Sequence, residues 1–143
     1  MRKAWSIGIL SCFFLLALFA DVIAAPAAKP GFDEKAVADF YRGKTVRIGV
    51  GFSAGGGYDA YSRLIGRHLG KFIPGEPAVI VENMPGAGSI VLANHAYNAA
   101  PKDGTFIANI SGPIILEQLF NNPAVQFDLA KFRYLAVPVS ETY

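Results

Sequence analysis

Residues 45–59, TVRIGVGFSAGGGYD, place a strand-like run, a glycine-rich loop and the start of a helix in direct succession. The β-branched residues before the loop are typical of a strand. After the loop, the apolar residues share one helical face: Tyr58, Tyr61, Leu64, Ile65, Leu69 and Phe72. A strand that leads through a glycine loop into a helix is typical of an α/β protein.

The same order occurs twice more along the chain. Residues 78–81 (AVIV) are followed by ENMPGAGS and the helical run IVLANHAYNAA, and residues 105–110 (TFIANI) are followed by SGP and the helical run IILEQLF. Strands that alternate with helices predict a parallel sheet and an α/β fold. In such a sheet every strand-to-helix loop lies at the carboxyl edge, where ligands bind. We therefore expect the three loops to converge on one crevice.

Two further elements flank this pattern. Residues 32–43 (FDEKAVADFYRG) predict a short amphipathic helix that ends at Gly43. Residues 132–139 predict one more strand, which Pro138 restricts to an edge or crossing position.

The first 24 residues carry the pattern of a secretory signal peptide. A basic start at residues 1–3 precedes an apolar run and a segment rich in small residues, which are the three regions of a cleavable signal. A retained membrane anchor is the alternative, but the apolar run is short for a membrane span and Asp21 ends it. Residues 25–31 (APAAKPG) predict a flexible tether. The sequence thus predicts an exported protein.

Composition excludes several classes of function. The single cysteine, Cys12, lies inside the predicted signal, so the mature chain has no disulfide, no thiolate metal site and no cysteine nucleophile. Removing Arg2, Lys3 and Asp21 from 13 basic and 11 acidic residues leaves a net charge of about +1. Because no basic stripe is present, nucleic acid has little support as a partner.

The loop after the first strand fits the G-x-S-x-G motif of serine hydrolases. Gly51 and Gly55 flank Ser53 at the spacing that the sharp nucleophile turn requires. A catalytic triad also needs a later histidine, and His68 and His95 both fall within predicted helices, which favours solvated helix-face positions. In that fold the motif follows a central strand, whereas here it follows the first. An exported α/β serine hydrolase that uses Ser53 therefore stands as the alternative function.

The same loop fits a dinucleotide-binding fingerprint, G-x-G-x-x-A. Gly49, Gly51 and Ala54 supply the motif, and Glu82 stands near the position of the acid that binds a ribose. Two observations count against it, since Gly49 lies inside the strand pattern and nicotinamide cofactors are mainly cytoplasmic. We therefore expect no cofactor.

A plain anion-binding loop needs the fewest assumptions. The amino end of a helix has unpaired N–H groups and a partial positive charge, and glycines let a ligand approach them. Residues 53–57 contain no lysine or arginine, so such a site holds a carboxylate reversibly and does no chemistry on it. For Asp59, interaction with the first turn of its own helix is favoured over ligand contact. The candidate ligand-binding residues of the three loops are Ser53, Ala54, Gly55, Gly56, Gly57, Asp59, Gly86, Ala87, Gly88, Ser89 and Ser111.

The second and third loops also have purely structural interpretations. Residues 85–89 (PGAGS) fit a tight connection as well as they fit a second anion loop. Ser111 fits the N-cap of the last helix, with Pro113 in its first turn.

Residues 40–89, from FYRGKTVRIGVGFSAGGGYD to VENMPGAGS, together with NAAPKDGT at residues 98–105, closely resemble the tripartite tricarboxylate transporter receptor (Bug) family. The resemblance implies a Venus-flytrap fold of the periplasmic binding protein type II kind. It implies an extracytoplasmic solute-binding protein, not an enzyme, whose lobes close on a small carboxylate and deliver it to a membrane permease. In that family the loop after the first strand holds the carboxylate through backbone amides, hydroxyls and ordered water, which implies this role for residues 53–57.

The chain departs from that family in length. Family members are roughly twice as long and have a second lobe after the crossing strand. We therefore expect residues 32–143 to form an incomplete N-terminal lobe, either as a fragment or as a truncated gene product. A single lobe presents half a cleft, so we expect weak binding. A remnant without function is a third interpretation.

Overall fold

The structure of the chain is a computed structural model that describes residues 31–137. The predicted signal peptide and all but the last residue of the predicted tether lie outside the described residues. The same is true of residues 138–143.

A three-stranded parallel sheet forms the centre of the fold. Its strands, in the spatial order β2-β1-β3, are β1 (Thr45–Val50), β2 (Ala78–Asn83) and β3 (Phe106–Asn109). Val50 at the end of β1 pairs with Asn83 at the end of β2 and with Asn109 at the end of β3. The three strands therefore end at one edge, and the predicted parallel α/β sheet is confirmed.

Each strand is followed by a loop and a helix. The helices are α1 (Glu34–Tyr41), α2 (Gly57–Leu69), α3 (Ile90–Asn98) and α4 (Ile114–Leu119). The first of these precedes the sheet, where the Asp33 carboxylate accepts from the N–H of Ala36 at 2.9 Å and Gly43 follows the helix with a φ of +72°. No helix within residues 31–137 is long and apolar enough to cross a membrane.

α2 and α3 cover opposite faces of β1. Neighbouring residues of a strand point to opposite faces. A Cβ added at Gly66 of α2 would contact the side chain of Ile48, whereas one added at Gly49 would meet Leu92 of α3. Gly66 also lets α2 lie close to β2, because its added Cβ would come within 2.9 Å of Val81.

The apolar face predicted for α2 is not the face that packs on the sheet. The buried residues of this helix are Asp59 and Ser62. Five of the six residues predicted for the apolar face are exposed: Tyr58, Tyr61, Leu64, Ile65 and Phe72. A glycine and two short polar residues allow closer approach to the sheet than bulky side chains do, and the strand ends supply hydrogen-bond partners for them. The Ser62 hydroxyl, for example, accepts from the Asn109 amide at 2.8 Å.

The second half of the chain forms a separate apolar cluster. Its buried members are Ile90, Ala93, Ile114, Phe127 and Leu129. Phe132 packs against this cluster, with its ring centroid 6.3 Å from that of Phe127. The strand predicted at residues 132–139 is wrong for residues 132–137, which contain no strand, and its last two residues lie outside the described part. Since Phe132 turns into the cluster and Leu135 is exposed, this segment does not line a sheet.

Candidate functional site

The three strand-to-helix loops meet at the carboxyl edge of the sheet. Ser89 is fully buried there, and its hydroxyl donates to the carbonyl of Gly51 at 3.4 Å and accepts from the N–H of Ser111 at 3.2 Å. One side chain thus joins the loop after β1 to the loop after β3. The N–H of Gly51 adds a further link by donating to the carbonyl of Asn109 at 3.0 Å. The loops therefore meet at one edge, as predicted, whereas a crevice between them stays a prediction.

The loop after β1 presents backbone groups rather than charged side chains. Its residues 53–57 are all exposed. Gly55 has a φ of +90°, a left-handed conformation that glycine adopts without strain. Gly56 is the N-cap of α2 and has no side chain to cap the first turn. The N–H groups of that turn have no partner within the helix, so they are the donors that this loop offers to an anion.

An ion pair between the buried Asp59 and the exposed Arg63 lies next to this loop. Asp59 is 4% exposed, and its carboxylate accepts from Nε of Arg63 at 3.0 Å and lies 2.9 Å from Nη2, which donates to the Asn83 side-chain oxygen at 2.9 Å. The same carboxylate accepts from the N–H of Gly55 at 2.9 Å and from the side-chain amide of Asn83 at 2.9 Å. That amide also donates to the carbonyl of Phe52 at 3.0 Å. Asp59 therefore connects the loop, the first turns of α2 and the end of β2.

Hydrogen bonding holds the pKa of Asp59 far below its ordinary value. The Arg63 side chain makes the largest contribution, followed by the N–H of Gly55 and the amide of Asn83, while burial opposes them. The carboxylate in turn raises the pKa of Arg63. Both groups stay charged, and the positive charge of Arg63 is committed to Asp59.

The loop after β2 has an unusual backbone. Four successive residues have positive φ: Gly86 (146°), Ala87 (45°), Gly88 (60°) and Ser89 (80°). Such a conformation is uncommon for alanine and serine, which carry a Cβ. The reversal turns the Ser89 hydroxyl inward and leaves Ala87 and Gly88 exposed at the edge.

The loop after β3 places Ser111 beside the other two loops. Besides its bond to Ser89, Ser111 accepts from the N–H of Ile114 at 3.3 Å through its carbonyl. The N-cap of α4 is Pro113, and no side chain bonds to the first turn. The N-cap role predicted for Ser111 is therefore wrong, because the helix begins at Ile114, two residues later than that role requires.

The loop after β1 is exposed at this edge over residues 53–57. Two depressions of about 350 Å³ each lie away from it. One is lined by residues of α2 and the turn that follows, including Arg67 and Lys71, and the other lies between α1 and Asp103. Neither includes a candidate ligand-binding residue.

The histidines of a hydrolase triad are distant from the predicted nucleophile. His95 packs edge to face on Phe106 at the start of β3, with centroids 5.4 Å apart, which is the opposite edge of the sheet from Ser53. His68 lies in the last turn of α2, roughly 16 Å along the helix from its first turn. Both histidines lie within residues 31–137, and in that part of the chain no three acidic or histidine side chains gather as metal ligands.

Two residues of the dinucleotide fingerprint, Gly49 and Glu82, have structural roles in the sheet. Gly49 lies inside β1, and an added Cβ there would come within 2.7 Å of Leu92 and 2.9 Å of Phe106. Glu82 accepts from Arg47 on the neighbouring strand at 3.0 Å. The glycine therefore permits close packing of α3, and the acid pairs with a cation of its own sheet.

Arg63 and Asn83 are two site residues that were not predicted from the sequence. The spacing of Asp59 and Arg63, one helical turn apart, is a signal for an ion pair. Asn83 carries no such signal, because its role depends on the pairing of β2 with β1. The two residues explain how a carboxylate is tolerated beside an anion-type loop.

The fold and the loop edge define an α/β sheet domain with exposed backbone donors at the carboxyl ends of its strands. Among curated proteins, the UPF0065 protein in the gbd 5′ region of Cupriavidus necator is 35% identical over 97 residues, which cover 66% of this chain and 29% of that protein. The chain is thus a homologue of a UPF0065 protein and spans less than a third of its length. No protein-family model matches the chain, and no solved structure matches it.

Proposed function

We propose that this chain contributes the N-terminal lobe of an extracytoplasmic solute-binding receptor that captures a small carboxylate. The observation that carries the proposal is the 35% identity to a UPF0065 protein, because UPF0065 is the family name of the Bug receptors. The three-stranded parallel sheet agrees with a lobe of the type II binding-protein fold. In this proposal a signal peptide at residues 1–24 directs the chain to the periplasm, where it works with membrane permease subunits.

The ligand carboxylate binds at the loop after β1. The first-turn N–H groups of α2 and the Ser53 hydroxyl donate to it, and residues 86–88 and Ser111 border it. Since Ser89 is buried and already bonded on both sides, it contributes by ordering the loops. The site uses dipoles instead of a full positive charge, which suits reversible capture.

Isothermal titration calorimetry with citrate, succinate and glutamate on the processed full chain tests this function. We expect saturable binding of at least one acid, and no binding of succinamide, the neutral diamide of succinate that carries no carboxylate. The absence of binding for every acid would contradict the proposal. Labelling of Ser53 by a fluorophosphonate would instead support the hydrolase.

A glycine variant tests the location of the site. An added Cβ at Gly57 meets nothing within 4 Å, so Gly57→Ala preserves the fold while its methyl group obstructs the N–H groups of the first turn. We expect Gly57→Ala to weaken carboxylate binding at an unchanged melting temperature. Gly31→Ala, which also has open space around it, is the matched control and leaves binding unchanged. Equal affinities of the two variants would place the ligand elsewhere.

A further inference from the structure

We propose that Asp59 is a positioning residue that fixes the conformation of the loop formed by residues 52–57, and that it does not contact the ligand. The predicted effect of Asp59 on ligand binding rests on the proposed function, whereas its predicted effect on the loop conformation does not.

The hydrogen bonds of Asp59 hold the loop at two points. Its carboxylate accepts directly from the N–H of Gly55, in the middle of the loop. Through the amide of Asn83 it is also connected to the carbonyl of Phe52, at the start of the loop. Because Asn83 belongs to β2 and Asp59 to α2, the loop conformation is set by two separate elements of the fold.

The acceptor capacity of Asp59 is used inside the protein. One carboxylate oxygen accepts from Asn83 and lies 2.9 Å from Nη2 of Arg63, and the other accepts from Gly55 and from Nε of Arg63. The side chain is buried, so a ligand reaches neither oxygen. Arg63 neutralises the carboxylate, which removes most of the repulsion that a bare aspartate would exert on an anion at the loop.

Two roles of Asp59 predict opposite signs for the same substitution. If Asp59 acted only through its charge, Asp59→Asn would remove a negative charge, release Arg63 and tighten anion binding. If Asp59 positions the loop, the same variant gives the Gly55 N–H and Arg63 a neutral, poorer acceptor and disturbs the arrangement of donors. Affinity then falls in spite of the more favourable charge.

The experiment compares Asp59→Asn with Asp103→Asn in the full processed chain. Asp103 also accepts from a backbone N–H, that of Thr105 at 3.0 Å, but it lies before β3 at the amino edge of the sheet. The control therefore makes the same charge change away from the loop. Citrate, succinate and glutamate are titrated by calorimetry, and exchange of the Gly55 amide hydrogen is followed by NMR.

We expect Asp59→Asn to weaken binding of the acid that the wild type binds by about tenfold and to speed exchange at Gly55 by about tenfold, since a charged acceptor is lost. Asp103→Asn changes neither quantity. Unchanged or tighter binding by Asp59→Asn overturns the inference, and so does weaker binding with an unchanged Gly55 exchange rate.

A second variant guards against misfolding. Asn83→Ala keeps both charges and removes the connection to Phe52, and we expect faster Gly55 exchange and weaker binding from it as well. If the wild type binds none of the acids, the proposed function fails. The positioning role is then judged by Gly55 exchange alone, and an unchanged rate in both variants overturns it.

Discussion

The hydroxyl of Ser89 joins three loops, and its removal is the most direct test of how the loop edge is held. Ser89→Ala deletes the acceptor of the Ser111 N–H at 3.2 Å and the donor to Gly51 at 3.4 Å. Ser89 packs closely against Gly51, since a Cβ on Gly51 would lie 2.3 Å from the Ser89 hydroxyl oxygen.

The expected cost follows from the geometry of the two bonds. The 3.4 Å contact is long and contributes little, so the main loss is the unpaired N–H of Ser111. Leaving a buried donor unpaired costs about 1–3 kcal/mol. Because Ser111 is only half-buried, we expect about 1–2 kcal/mol, or a fall of roughly 5–15 °C in Tm for a domain of this size.

Ser89→Gly separates the hydroxyl from the backbone. Ser89 has a φ of +80°, and a left-handed conformation costs a residue with a Cβ roughly 1–2 kcal/mol, whereas glycine adopts it freely. Ser89→Gly loses the same hydrogen bonds as Ser89→Ala but is relieved of this strain. The extra entropy of glycine in the unfolded chain offsets part of the gain, so we expect Ser89→Gly to be more stable than Ser89→Ala by about 0.5–1 kcal/mol.

Urea unfolding followed by circular dichroism measures these differences. The exposed Ser53→Ala is the control and stays within about 0.5 kcal/mol of the wild type. A Ser89→Ala variant as stable as that control would refute the role of Ser89 as a connector. A Ser89→Gly variant less stable than Ser89→Ala would refute the strain argument.

Three further predictions concern the rest of the fold. Gly66→Ala places a Cβ 2.9 Å from Val81 and lowers the free energy of unfolding by about 1–3 kcal/mol through overpacking. Since Gly→Ala within a helix normally stabilises a protein, a higher urea midpoint for this variant would contradict the close contact between α2 and the sheet. Ala87→Gly, at a φ of +45°, leaves thermal stability equal or higher because it relieves a left-handed alanine, and a clear loss in calorimetric Tm would argue against that backbone. The folded-state pKa of Asp59 is depressed, so its contribution to stability is complete above the ordinary aspartate pKa of about 4 and is lost as pH falls below it. In acid unfolding we expect Asp59→Asn to lose less stability than the wild type as the pH falls. Identical curves of stability against pH would count against the ion pair.

The alternation of strands and helices was predictable because it depends on local patterns. Valine and isoleucine in β1, the glycine loop and the helical run that follows each carry a signal within a few residues, and the parallel sheet follows from their order. The meeting of the loops follows in turn, since parallel strands end at one edge.

What could not be predicted depends on contacts between distant segments. The apolar residues of α2 predicted the wrong packing face. The helix instead packs on the sheet through Gly66, which lies close to Val81 of β2, and this contact is not visible in the helix sequence alone. The Asn83 amide reaches Asp59 only after β1 and β2 have paired. The composition of residues 132–139 predicts a strand, but Phe132 packs against the apolar cluster that contains Phe127.

The central position of β1 has a consequence for how such a domain can vary. All three loops come from adjacent strands, so the whole loop cluster is encoded within residues 51–114. Within the described residues, β2 and β3 each pair along one side only. Strands added at either flank would enlarge the sheet without separating the three loops.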